Sequence, residues 1–110
     1  MKTLSKYTIP VLVDFYSDEI SRNIRNQALK NLEKWGLQSY SNLILAVAEE
    51  AGELAQAYLQ YEHEDKEKER IYKETVDLGA LCFQILIKGY IDKNKEKKND
   101  SKKRKNTRSR

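Results

Sequence analysis

Apolar residues recur at three- and four-residue steps over most of the chain. Val13, Tyr16, Ile20, Ile24, Ala28, Leu32 and Trp35 form the first series, a spacing that lines one face of an α-helix. Pro10 suits the first turn of that helix, because its missing N–H would be unpaired there anyway. Gly36 predicts a stop in the left-handed region, and Ser17-Asp18, a good capping pair, allows a break within the helix. Residues 36–41 read as a connector in which Ser39 or Ser41 caps a second helix over about 42–61. That helix turns Leu43, Ala46, Val47, Leu54, Ala57 and Tyr58 inward. Residues 62–69 hold no apolar member and predict a charged turn. A third helix, roughly from Lys66 to Tyr90, turns Ile71, Leu78, Leu81, Cys82, Ile85 and Leu86 inward. There is no β-alternation of useful length, so the expected fold class is all-α, an antiparallel bundle of three main helices.

Two of these stripes are interrupted by acids. Continuing the second helix's apolar face through its middle lands on Glu50 and Glu53, and Glu74 shares a face with Ile71 and Leu78 while Asp77 borders it. Residues three apart project together from a helix, so packing the two helices antiparallel brings four carboxylates into one small volume. An unpaired carboxylate is costly to bury, and like charges that close repel unless a cation sits among them. All-oxygen ligands suit a hard cation, Mg²⁺ first and Mn²⁺ as a substitute. Zinc does not fit, because His63 and Cys82 lack ligand-spaced companions. His63 reads as a surface residue and Cys82 as a small core residue. Gly52, inside the acidic motif, costs a helix about 1 kcal/mol relative to Ala, and its place suggests close approach by another helix or a ligand.

Composition adjusts this picture. With 110 residues, 39% hydrophobic and 35% charged, a lone chain has a thin core, and broad apolar helix faces point to a homo-oligomer, with a four-helix-type core completed by association. The net charge of +4 conceals a division. Residues 91–110 hold ten Lys/Arg against three acids, whereas residues 1–90 hold eleven basic and fourteen acidic side chains. The expected organisation is a mildly acidic helical domain over 1–90 and a disordered basic tail over 91–110. A single cysteine, no 18-residue apolar run and no signal-peptide pattern make cytoplasmic the expected location.

The acidic residues also carry a family resemblance. Glu49-Glu50-x-x-Glu53, twenty residues, then Glu74-x-x-Asp77 resembles the signature of the MazG-like, all-α nucleoside triphosphate pyrophosphohydrolases. Trp35, followed by Asn42-Leu43 and Glu49-Glu50-Ala51-Gly52-Glu53-Leu54, is similar to the approach to that motif in related deoxynucleotide pyrophosphatases. The similarity spans roughly residues 12–90. It implies Mg²⁺-dependent hydrolysis of a nucleoside triphosphate to the monophosphate and pyrophosphate, a house-cleaning role on non-standard or surplus nucleotides, and a homodimer or homotetramer. By that carry-over Glu50, Glu53, Glu74 and Asp77 are metal ligands, and Glu49 either braces them or orients the attacking water. Trp35 would stack on the base or belong to the core, and Asn42 would contact the base or cap a helix. Lys34 and Lys73 are candidates for the phosphates. The chain departs from the pattern after residue 90, where no apolar positions exist to dock a further helix.

The basic tail is expected to be a solubilising extension. Its alternative is a nonspecific nucleic-acid tether, on a helical interaction module without catalysis. No aromatic follows Tyr90, so the tail offers nothing for base stacking.

Overall fold

A computed structural model of the chain describes residues 3–64 and 67–108. It is all-α, with three helices and no strand among those residues: α1 (Thr8–Trp35), α2 (Tyr40–Glu64) and α3 (Glu69–Arg108). The expected start of the third helix, Lys66, lies outside the described residues. α1 begins earlier than its apolar stripe because the turn before it supplies the missing partners. Thr8 and Ile9 donate their N–H groups to the Ser5 carbonyl, both at 3.1 Å, and Ser5 Oγ accepts from Thr8 N at 3.2 Å. Pro10 then falls within the first turn. There is no break at Ser17-Asp18; α1 runs through it unbroken.

Gly36 ends α1, with its N–H on the Leu32 carbonyl at 2.8 Å and φ 70°, ψ −173°. That is an extended mirror-region conformation open essentially to glycine alone, rather than the left-handed helical stop expected. Gly36→Ala is therefore expected to lower stability by about 1–3 kcal/mol, read as a lower melting temperature by circular dichroism. Of the two serines that could cap α2, Ser39 does so: its Oγ accepts from Asn42 N at 3.2 Å, its carbonyl accepts from Leu43 N at 3.0 Å, and Ser41 only touches the Ser39 hydroxyl.

α3 is the spine. Both other helices pack on it, and α1 and α2 do not pack on each other among the described residues. Cross-contacts give the directions. Asn23 meets Tyr72 and Asn31 meets Gln84, so α1 runs parallel to α3. Tyr40 lies under Lys88 while Gln60 meets Arg70, so α2 runs antiparallel to both. Close approach of α1 depends on Gly79, where an added Cβ would stand 3.1 Å from Ile24 Cδ1. Gly52, the glycine expected at such a contact, has nothing within 4 Å of an added Cβ, so the expected approach of another helix there is corrected. Helix α3 carries the approach, and Gly52 faces open space.

The core is thin. Ala28, Leu43, Ala57 and Ala80 are its fully buried apolar residues, and of the expected inward set Val13, Tyr16, Ile20, Trp35, Tyr58, Cys82 and Leu86 are exposed. The periodicity gave the right period but not the width of the buried stripe, because α1 and α2 each pack on α3 alone and leave the rest of their surfaces uncovered. The chain measures 71 × 35 × 19 Å with a radius of gyration of 19.9 Å, against about 13 Å for a compact domain of this size. Beyond Tyr90 the backbone continues as helix to Arg108, in a stretch where Lys is the commonest residue. Lys93 to Asn99 are all exposed, so this stretch adds nothing to the core, as its composition requires.

Candidate metal centre

The acids of α2 and α3 meet where those helices face each other. Carboxylate oxygens of Glu50, Glu74 and Asp77 all lie within 4.8 Å of one another. Glu74 is only 6% exposed, although it is charged, and Arg70 one turn before it approaches no nearer than 3.9 Å. Lys73 sits at the edge, its Nζ donating to Asp77 Oδ2 at 3.1 Å from an exposed position. These two cations leave the centre incomplete. With both acids ionised, Glu50 Oε2 and Glu74 Oε2 are buried with no hydrogen-bond partner, an arrangement that ordinarily costs a protein a few kcal/mol.

The electrostatics respond accordingly. Glu50 is raised from 4.5 to about 7, by burial first, then by hydrogen bonding to Glu74 and by the charges of Glu53, Glu74 and Asp77. Lys73 is raised by its hydrogen bond to Asp77 and by the same negative field. A divalent cation among the three carboxylates would supply the partner both orphaned oxygens lack, and oxygen donors of this kind fit Mg²⁺ or Mn²⁺. The donor set therefore fits the ion.

The other expected site residues fall in three groups. Glu53 is exposed one turn along α2, close enough to repel Glu50 but outside the group of three. Glu49 and Trp35 line a cavity that opens beside the cluster, with Glu50 and Asp77 on the same wall. Lys34 stacks its ammonium over the Trp35 ring at 4.8 Å, and Asn42 stands in the first turn of α2, donating its N–H to Ser39. Neither lines the cavity. His63 is exposed near the end of α2, away from the cluster.

The cavity measures about 430 Å³ and exists because α1 and α2 each pack on α3 but leave a gap between themselves. Four carboxamides line it that the apolar pattern did not single out: Gln27 and Asn31 from α1, Gln38 from the connector before α2, and Gln84 from α3. Gln84 had a signal, since it is a polar residue among the inward positions Leu81 and Ile85, and it proves to be 2% exposed. Asn31 had none, because its role depends on a partner 53 residues away.

No protein-family model matches the chain, and no curated protein or solved structure matches it significantly. No helix among the described residues is long and apolar enough to cross a membrane.

Proposed function

We propose that the chain is a Mg²⁺-dependent nucleoside triphosphate pyrophosphohydrolase of the MazG-like kind, releasing pyrophosphate and a nucleoside monophosphate from non-standard or surplus nucleotides. The observation that carries this reading is the pair of buried, partnerless oxygens on Glu50 and Glu74, beside a cavity of about 430 Å³ that Glu50 and Asp77 line. The spacing of the two acid pairs and their resemblance to that signature support it. Glu50, Glu74 and Asp77 hold the ion, with Glu53 beside them. A bound Mg²⁺ would neutralise a triphosphate carrying about four negative charges, polarise the phosphoryl oxygen and acidify a bound water.

The chain's own groups do the rest. Glu49, on the cavity wall next to Glu50 in sequence, orients the attacking water or takes its proton. Lys73 holds Asp77 until a cation arrives and is then free for the phosphates. Trp35 offers a flat apolar surface at the cavity. The test is a panel of ribo- and deoxynucleoside triphosphates incubated with the purified chain and Mg²⁺ and assayed for pyrophosphate. Release from at least one nucleotide, dependent on Mg²⁺, is expected; none from any of them sinks the reading.

The functional unit in this reading is a homodimer or homotetramer. Val11, Val13, Phe15, Tyr16 and Ile20 on α1 and Ile44, Leu45, Tyr58 and Leu59 on α2 are all exposed, more apolar surface than an isolated domain ordinarily shows water. Sedimentation velocity over a concentration series should give a dimer or tetramer, and a monomer throughout would contradict it. The competing reading, an inactive helical module tethering nucleic acid, is favoured only by the exposed basic stretch from Lys93 to Asn99. It leaves the partnerless carboxylates without a purpose.

A further inference from the structure

Three carboxamides lining the cavity form a hydrogen-bonded chain. Gln27 Nε2 donates to Asn31 Oδ1 at 3.0 Å, and Asn31 Nδ2 donates to Gln84 Oε1 at 2.9 Å. Gln84 ends the chain at 2% exposure with its carbonyl engaged. Its Nε2 donors have no partner among the described residues, and the residue lines the cavity. In this arrangement a ligand reaching Gln84 meets N–H donors and is held by a carbonyl oxygen, and the opposite polarity requires all three carboxamides to turn over together.

Glu50 and Asp77 line the same cavity. Asp77 and Gln84 stand seven residues apart on α3, about 10 Å along its axis. That separation suits a molecule with a hydrogen-bonding ring at one end and phosphates at the other. The indole of Trp35 lies on the same cavity wall, and the volume of about 430 Å³ falls within the usual range of small-molecule sites.

We propose that Gln84, held by Asn31, is the specificity-determining residue of this cavity, and that it takes a nucleobase bearing a ring carbonyl, such as uracil, in preference to adenine. The inference rests on the nucleotide reading above, but its test needs neither a metal nor a phosphate. Trp35 is the only tryptophan in the chain, so its fluorescence reports on the cavity directly. Titration of the full chain with uridine, adenosine and ribose in the absence of metal should give saturable quenching by uridine, about tenfold weaker binding of adenosine, and none by ribose.

Gln84→Leu should abolish the difference between uridine and adenosine. Gln84→Glu, which presents an acceptor in place of the donors, should reverse it in favour of adenosine while leaving the circular dichroism unchanged. A merely structural glutamine would not invert the preference. No quenching by any nucleoside, or a preference for adenosine in the wild type, overturns the proposal. Pyrophosphate release with an unchanged base preference in Gln84→Glu would also overturn it and leave the hydrolytic reading standing. Quenching by uridine without hydrolysis of any triphosphate would leave this proposal standing and sink the other.

Discussion

Magnesium should raise the melting temperature of the chain, and raise it more at pH 8 than at pH 5. Three carboxylates within 4.8 Å, two of them with a buried oxygen lacking any partner, repel in the absence of a cation. An ion that binds only the folded state stabilises it by about 1.4 kcal/mol at ten times its dissociation constant, or about 5 °C or more for a chain of this size. The pH dependence follows from Glu50, which burial and its acidic neighbours raise from 4.5 to about 7. Between those two values the folded chain keeps a proton that the unfolded chain has released. Stability without metal therefore falls as the pH rises through that window and levels off above about 7. Metal binding needs the proton gone, so the increment from Mg²⁺ grows over the same range. Differential scanning fluorimetry at fixed protein concentration, with Mg²⁺ against EDTA at several pH values, reads both trends. Glu74→Gln removes one of the repelling charges, so it should melt higher than wild type without metal and respond little to Mg²⁺. An unchanged melting temperature in wild type at every Mg²⁺ concentration would leave the carboxylates as ordinary acids.

Turnover on the best nucleotide should fall about a thousandfold in Asp77→Ala, since removing a ligand forfeits several kcal/mol of charge stabilisation at 1.36 kcal/mol per tenfold. Glu53→Ala tests a different matter. Glu53 is exposed and outside the group of three, so its loss should mainly raise the Mg²⁺ concentration needed for half-maximal rate, whereas a loss as deep as that of Asp77→Ala would make it a full ligand. Lys73→Met separates the two duties given to that lysine. Freed of the ammonium 3.1 Å from its oxygen, Asp77 should take Mg²⁺ at lower concentration, while the maximal rate falls for want of a phosphate contact. Wild-type rates in Asp77→Ala would refute the ligand assignment.

The two acid pairs were legible in the sequence because helical periodicity is local. Residues three apart share a face whatever the helix packs against, so Glu50 with Glu53 and Glu74 with Asp77 could be paired before any packing was known. Their convergence required α2 and α3 to run antiparallel, which the short charged turn between them imposes. The same periodicity misjudged burial. Tyr58, Cys82 and Leu86 lie on apolar stripes, yet all three are exposed, because a stripe says which side is apolar and not how much of it a neighbour covers. Gly52 was misread for a related reason: a glycine's use depends on what approaches it, and the approach comes at Gly79 from Ile24.

By itself, then, the sequence determined the all-α class, the three helices and the faces on which the acids stand. Each of these follows from interactions within a few residues. Only the tertiary structure decided that Glu74 is buried while Glu53 is not, that two carboxylate oxygens lack partners, and that Asn31 and Gln84 join across a cavity. Those features depend on how three helices share one spine. The gap between α1 and α2 is set by packing on α3, and no local pattern along the chain encodes its width.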